Sequence, residues 1–188
     1  MLKKSIAVVF AIVFAMTATV ASAQMCTVAA YGDPEGTTSL VQPIEGQFFS
    51  FFVVMFSEDT LAAAAYKMTV SGENINVFRQ GRIAGPNGLG LFLDENPPAV
   101  GTNIALGECV IGFGGLPVLI EEYIYFAPGT GYSGTVTFGP NTNQDPDFPE
   151  YVTCTDVQKD CTVGPTLIIQ TPIPTDATSF GQIKSLYN

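Results

Sequence analysis

Short apolar segments recur along the chain, and turn-forming residues separate them. Ten segments rich in β-branched and aromatic residues have the length of strands: 26–31, 47–56, 64–70, 75–79, 90–93, 103–113, 118–126, 134–138, 151–155 and 166–170. Glycine, proline, asparagine and aspartate lie between them and favour chain reversal. No helical segment connects two strands, so the pattern predicts an all-β protein. We expect an antiparallel β-sandwich, immunoglobulin-like or cohesin-like, with about eight to ten strands.

Two segments predict how the strands are placed. The segment 47–56 is apolar at almost every position, so both of its faces must be covered and it should be a central strand. In 118–126, alternation predicts that Glu121 shares one face with Leu119, Tyr123 and Tyr125, whereas Ile120 faces the other way with Glu122, Ile124 and Phe126. The run 61–65 is compatible with one helical turn as well as with a strand.

The N-terminus has the features of a secretory signal peptide. Lys3 and Lys4 precede an apolar run at 6–20, which is followed by Ala-Ser-Ala at 21–23; a basic start, an apolar centre and a small-residue cleavage site define such peptides. We therefore expect residues 1–23 to be removed and the protein to be exported, to the periplasm, the cell surface or the extracellular space. Residues 24–170 would form one β-sandwich domain, a size typical of single domains, without a membrane span.

Charge and composition exclude several classes of function. Residues 24–188 carry five basic and seventeen acidic side chains, a formal charge of −12. Such a protein lacks the positive surface that nucleic-acid binding requires. The chain has no histidine, which removes the commonest general base and the Ser-His-Asp and Cys-His arrangements. We therefore expect no enzymatic activity.

The four cysteines all lie in the mature chain, at Cys26, Cys109, Cys154 and Cys161. An even number in an exported protein predicts two disulfides. Three pairings are possible, and the short spacing of Cys154 and Cys161 favours a small loop between them, which leaves Cys26 to pair with Cys109.

Oxygen ligands alternate in the loop 139–150, where Asn143, Asp145 and Asp147 precede Glu150. Calcium loops place oxygen donors in this way. The loop is therefore a candidate calcium site, with a solvated acidic turn as the alternative, and calcium is the one cofactor that the sequence indicates.

Tyrosines offer a candidate carbohydrate site. Tyr123 and Tyr125 share one face of the strand 118–126, about 7 Å apart, and aromatic rings at this spacing suit a flat ligand. Core packing is the other role of such a pair. The adjacent Glu121 and Glu122 point to opposite faces, so they cannot flank one glycosidic bond.

The last eighteen residues differ from the rest. Residues 171–176 contain two prolines and predict an extended linker. After them, Phe180, Ile183 and Tyr187 lie at helical spacing, but so short a helix is marginal alone. The segment 171–188 should dock on the sandwich, be disordered, or bind another molecule.

The chain resembles a loose group of exported bacterial proteins that each carry one immunoglobulin-like or cohesin-like sandwich. The similarity lies in the turn 31–37, the strand 62–72, the segment 104–109, the cysteines at 154 and 161, and the tail 180–187. The group often ends in a Trp-Gly-x-x-Lys-x-Leu-Tyr-type peptide, and here Phe180 replaces the tryptophan. The resemblance implies a shared sorting or docking peptide with these residues: Phe180, Gly181, Ile183, Lys184, Leu186 and Tyr187.

These observations favour a non-enzymatic protein used for binding, adhesion or envelope structure, with an unknown protein or glycan at the cell surface as its partner. Two alternatives remain open: a lectin-like or histidine-free glycoside-active domain, and a secretion-system substrate that is sorted by its C-terminal tail.

Overall fold

The structure, a computed structural model, describes residues 26–73, 79–85, 87–93, 101–111, 116–127, 131–145 and 147–171. These residues form strands and turns only. The strands are β1 (Cys26–Tyr31), β2 (Leu40–Val41), β3 (Gln47–Ser57), β4 (Thr60–Glu73), β5 (Arg79–Ala84), β6 (Leu91–Phe92), β7 (Thr102–Ile111), β8 (Pro117–Ala127), β9 (Ser133–Gly139), β10 (Glu150–Val152), β11 (Gln158–Asp160), β12 (Thr162–Val163) and β13 (Leu167–Gln170). No helix in this part of the chain has the length and apolar character needed to cross a membrane.

Two sheets enclose the core, as the sequence predicts. One sheet has the order β12-β1-β3-β8-β5, and the other contains β11-β10-β4-β9-β13-β2 with β7 paired to β4 and β6. Most pairs are antiparallel, but β1 with β12 and β13 with β2 are parallel. The segment 61–65 belongs to β4, so the helical turn considered for it is wrong.

The central position predicted for 47–56 is confirmed, because β3 pairs with both β1 and β8. Its inner side chains, among them Phe51 and Met55, lie in the main core. On the outer face, Val54 forms a second apolar cluster with Ala29, Tyr31, Phe52 and Phe56. The turn after β1 covers this cluster at Gly36, whose φ is 70° and where any side chain would collide with the Phe56 ring.

A β-bulge changes the predicted orientation of β8. Val53 pairs with Glu121, but the next residue, Val54, pairs with Leu119, so Ile120 has no partner in β3. An extra residue inverts the alternation of side chains, and Ile120 and Glu121 are consequently both fully buried. The prediction that these two side chains face opposite ways is therefore wrong.

The chain forms two disulfides, but the favoured pairing is wrong. Cys26 is bonded to Cys161, and Cys109 is bonded to Cys154. Cys154 lies in the turn of the β10–β11 hairpin and Cys161 lies beyond its far end, so β11 separates the two cysteines. Because a strand is extended, β11 holds the two cysteines apart. They therefore do not close the small loop that their short spacing in sequence suggested.

Candidate binding groove

The outer face of the second sheet carries two aligned rows of side chains, one across four strands and the other across five. In one row Asn103 pairs with Ala65, Ala65 with Glu150, and Glu150 with Asp160. In the other row Leu91 pairs with Ala105, Ala105 with Ala63, Ala63 with Val152, and Val152 with Gln158. Paired residues in neighbouring strands point to the same face. Alanine therefore occupies β4 in both rows and also β7 in the second row, and larger residues flank the alanines on either side.

The small central residues leave a groove on the sheet surface. We call it the alanine groove; Ala63, Ala65 and Ala105 form its floor. Within it is a cleft of about 180 Å³, and the residues that line the cleft are Ala63, Ala64, Ala65, Leu93, Asn103, Ile104, Gln144, Glu150, Tyr151, Val152 and Gln158. Alanine side chains end at Cβ, so another chain can approach the backbone of β4 closely.

One wall of the groove consists of exposed leucines. Leu91 and Leu93 are 65% and 60% exposed, and the Leu93 N–H donates to the carbonyl of Asn103 (2.9 Å), which extends the pairing of β6. Phe92, between them, packs against the core instead. The strand therefore directs two large apolar side chains into solvent beside the groove, where most strands of a sandwich present polar residues.

The other wall is acidic. Oxygen atoms of Asp145, Glu150 and Asp160 all lie within 4.8 Å of one another; we call these three residues the acidic corner. Glu150 is buried, and its carboxylate accepts a hydrogen bond from Gln158. Negative charges so close together repel one another, so a positive group beside them would be favoured.

The acidic corner differs from the predicted calcium site. It retains Asp145 and Glu150, but Asp160 from β11 takes the place of Asn143 and Asp147. Asn143 donates its N–H to the side chain of Asn141, and Asp147 donates its N–H to Asp145. Sequence spacing could not find Asp160, because the pairing of β10 with β11 brings it opposite Glu150.

A buried polar network lies beneath the leucine wall, on the core side of the sheet. Arg82 is ion-paired with Glu121, and Glu121 also accepts a hydrogen bond from the hydroxyl of Tyr66 (2.5 Å). The Arg82 guanidinium lies over the ring of Phe92 (4.0 Å to the centroid) and donates to Thr102 (3.3 Å). Arg82 therefore contacts both β6 and β7, the two strands that present the leucine wall and part of the floor.

Burial and charge set the protonation of this network. Burial raises the pKa of Tyr66 well above its ordinary value, and the negative charge of Glu121 raises it further. Burial alone would lower the pKa of Arg82, but the hydrogen bond and charge of Glu121 outweigh it, and the net pKa is raised. Arg82 is therefore charged and Tyr66 neutral at any physiological pH.

Tyr123 and Tyr125 do not form a surface platform. Both are 2% exposed, and both stack on Phe51, with centroid distances of 5.1 and 5.4 Å. After the bulge in β8, their face of the strand points into the core together with Glu121. The carbohydrate-site interpretation of this pair is therefore wrong, because core packing occupies both rings.

The predicted docking residues of the tail, Phe180 to Tyr187, lie outside the described residues, as do the predicted linker after Thr171 and the predicted signal peptide. Their roles stay predictions.

Solved structures of cohesin modules are similar to this chain in fold. A non-cellulosomal cohesin from the hyperthermophilic archaeon Archaeoglobus fulgidus is 11% identical, with a TM-score of 0.49, over 83% of this chain and 97% of the cohesin. The third ScaB cohesin of R. flavefaciens, in complex with a group 1 dockerin, is 14% identical, with a TM-score of 0.49, over 82% of this chain and 99% of that one. The cohesin module of a Clostridium perfringens family 33 glycoside hydrolase is 10% identical, with a TM-score of 0.49, over 79% of this chain and 99% of the module.

Comparison of the sequence with protein-family descriptions and with curated proteins found no match.

Sequence reasoning missed the groove, although two signals of it are visible in the chain. Leucine alternates with smaller or inward-facing residues at 89–93, and four consecutive alanines occupy 62–65. Neither signal identifies a groove alone, because only the pairing of β4 with β7 and β10 places the leucines beside the alanines.

Proposed function

We propose that this protein is an exported, non-enzymatic binding protein, and that its alanine groove accepts a segment of a protein partner. The groove itself carries the proposal: a floor of small side chains with exposed leucines on one side and carboxylates on the other. Leu91 and Leu93 lie on the same face of the segment 91–93, are 60–65% exposed and adjoin the alanine floor, and a contiguous exposed apolar surface of this kind is typical of a binding site.

The groove chemistry indicates what the partner segment contains. Apolar side chains of the partner would pack against Leu91 and Leu93, and small ones would fit over Ala63 and Ala65. A lysine or arginine would lie next to the acidic corner, where it would relieve the repulsion between the carboxylates. The formal charge of −12 on the mature chain would also attract a basic partner over a longer range.

The proposed export favours a partner at the cell surface or in the envelope, and adhesion is one such role. The predicted signal peptide at 1–23 and the two disulfides are consistent with an oxidising compartment. Mass spectrometry of the protein recovered from its host should find Gln24 as the first residue, and an uncleaved N-terminus would contradict export by this route.

A random-peptide display library tests the proposed function, with the oxidised mature protein as the target. We expect the enriched peptides to combine apolar residues with lysine or arginine and to bind more weakly as salt concentration rises. Ala65→Arg, which fills the groove and adds a positive charge, should reduce their binding at least tenfold. Leu93→Ser should also weaken it.

Ile168→Ser is the matched control, because Ile168 is a similarly exposed apolar residue in β13, away from the groove. It should leave peptide binding unchanged. Enriched peptides that bind equally to the wild-type protein and to the Ala65→Arg variant would contradict the proposal. So would a glycan-array ligand whose binding the groove variants abolish, because the partner class would then be carbohydrate.

A further inference from the structure

The outer face of the first sheet is apolar where the outer face of a sandwich is ordinarily polar. Three aligned rows lie on this face. Phe48 pairs with Phe126 across β3 and β8, and two further rows also include β5: Ser50 with Ile124 and Gly81, and Phe52 with Glu122 and Ile83. We call Phe48, Ile83, Ile124 and Phe126 the outer patch. Its one carboxylate, Glu122, accepts a hydrogen bond from Ser50 (2.7 Å).

The outer patch is the uncovered half of a larger apolar face. On the β1 side, the turn after β1 covers Phe56 and Val54 at Gly36. On the β8 side, Phe48 is 64% exposed and Ile83 is 40% exposed. Phe48 and Phe126 contact one another, with ring centroids 5.2 Å apart, yet the described residues provide no cover for this pair. An apolar face of this kind indicates a binding surface.

The last described residue, Thr171, lies near the C-terminal end of β8, which is the end of the strand that carries Phe126 of the outer patch. The Thr171 N–H donates to the carbonyl of Tyr132 (2.9 Å), and Tyr132 follows β8 by five residues. The last paired row of β8 and β3 includes Ala127, and the row of Phe48 and Phe126 is next to it. Five residues span at most about 17 Å, which limits the distance between Thr171 and this end of β8.

The chain continues for seventeen residues beyond Thr171. Phe180 is nine residues further on, a reach of about 30 Å when extended, which is enough to place it over the outer patch. The N-terminal segment is less well placed, because β1 begins at Cys26, opposite Ser57 at the far end of β3.

The composition of the tail complements the patch. Phe180, Ile183 and Tyr187 share one face at helical spacing, and Lys184 is the single basic residue of the segment. Glu122 is the carboxylate in the end row of the patch, paired with Phe52 on β3 and Ile83 on β5. A short amphipathic segment that is marginal alone in water becomes stable when its apolar face is buried.

We propose that residues 178–187 dock on the outer patch of their own chain. Phe180 and Ile183 pack against Phe48 and Phe126, and Lys184 pairs with Glu122. Docking in this way covers the apolar face and uses no part of the alanine groove, so the groove remains free for a partner. The inference is independent of the proposed function, because it concerns the other sheet.

Hydrogen–deuterium exchange of the full mature chain tests the proposal. We expect the amides of 179–187 to exchange at least tenfold more slowly than those of an unstructured peptide, and the protection not to depend on protein concentration. Phe180→Ser with Ile183→Ser should abolish this protection and also increase exchange in β8. These substitutions are in the tail and leave the core residues of the sandwich unchanged.

Lys184→Glu should reduce the protection, whereas Lys67→Glu, the same charge change in β4, should not. Tail amides that exchange like those of a free peptide in the wild-type chain, as expected of a peptide that is exposed for a sorting machine, would overturn the proposal. Protection that rises with protein concentration together with dimer formation would also overturn it, because a second copy would then occupy the patch.

Discussion

Glu121 owes its position to the single extra residue in β8. Without the bulge at Ile120, the carboxylate would point to the outer face with Leu119. With it, Glu121 is fully buried and needs the charge of Arg82. A buried carboxylate without a partner costs several kcal/mol, so bulge and ion pair depend on each other.

Removing one member of this pair should be far more damaging than removing both. We expect Arg82→Met or Glu121→Leu to lower the free energy of unfolding by about 3–5 kcal/mol, because each leaves the other charge buried alone. The double variant should lose less than either single variant. Urea unfolding of the four proteins measures the coupling.

Lys159→Met is the control for this comparison of single and double variants, since the Lys159–Asp59 pair is about 40% exposed. It should lower the free energy of unfolding much less than either single variant at 82 or 121. Single and double variants at 82 and 121 whose losses simply add would contradict the coupling.

Asp59 should make stability depend on pH in the acid range. Hydrogen bonds from Lys159 and Tyr151 lower the pKa of Asp59 in the folded protein. A lowered folded pKa contributes stability that is complete above the unfolded value of about 3.9 and is lost as the pH falls through the folded pKa. In urea unfolding between pH 2 and 6, Asp59→Asn should therefore lose less stability on acidification than the wild type.

Glu45→Gln is the charge-matched control for Asp59→Asn and should follow the wild type. If the free energy of unfolding depends on pH identically in the wild type and in Asp59→Asn, Asp59 is not the source of this acid-range stability.

At the scale of elements, the two disulfides fix different connections. Cys26–Cys161 joins the start of β1 to the short link between β11 and β12, which belong to different sheets. Cys109–Cys154 joins β7 to the β10–β11 turn, beside two strands of the alanine groove. Cys26 and Cys161 are buried, whereas Cys109 is exposed.

The Cys26–Cys161 disulfide should contribute more to stability than Cys109–Cys154. Their sequence separations are 135 and 45 residues, and loop-closure entropy predicts a difference of about 1 kcal/mol within a total of about 2–5 kcal/mol each. Unfolding by heat or urea of two variants, each with both cysteines of one disulfide replaced by serine, compares the two contributions.

Mild reduction of the folded protein should first open Cys109–Cys154, because Cys109 is exposed whereas Cys26 and Cys161 are buried. Loss of Cys26–Cys161 first would contradict this order.

The strand pattern predicted the fold well because most strands carry their own apolar signal. β1 and β3 begin at the residues expected from sequence, and 134–138 lies within β9. β5 was not predicted over 80–84, since its sequence is polar and contains Gly81. It becomes a strand through pairing with β8 and through the attraction of Arg82 to Glu121. The predicted strand 75–79 lies outside the described residues except for Arg79.

The groove could not be predicted because it depends on long-range pairing. Ala65 and Glu150 are 85 positions apart in sequence but are paired in the sheet. The same limit explains the wrong disulfide pairing and the absence of Asp160 from the predicted calcium set. Local patterns identify strands, but the register between distant strands decides which side chains meet.

At the scale of the whole molecule, the alanine groove and the outer patch lie on the outer faces of different sheets. The core separates the two sheets by about 10 Å, so the two surfaces face away from each other. The proposed docking of the tail on the outer patch would therefore leave the alanine groove accessible to a partner.

The formal charge of −12 on residues 24–188 makes the response of the protein to cations informative. Calcium binding is predicted from sequence for the loop 139–150, and the acidic corner is where the structure allows it to be tested. Saturating calcium should raise the melting temperature of the oxidised mature protein, with about 2.7 kcal/mol of added stability at a hundred times the dissociation constant. Asp160→Asn should reduce the shift, because it removes one of three clustered carboxylates. Sodium chloride at equal ionic strength is the control for screening. Equal shifts with both salts, or an undiminished shift in Asp160→Asn, would contradict a specific site.

The Cys26–Cys161 bond also determines how the protein responds to pulling. The bond joins positions near the two ends of the described chain, so tension applied through the termini passes along the disulfide and cannot extend the chain between Cys26 and Cys161. At roughly 3.5 Å per residue, the 135 residues between the two cysteines would have an extended length of about 470 Å. The disulfide prevents this length from being stretched out. Of the described strands, β12 and β13 lie beyond the disulfide and can be peeled away, whereas the strands of the alanine groove lie within it and would keep their arrangement under tension.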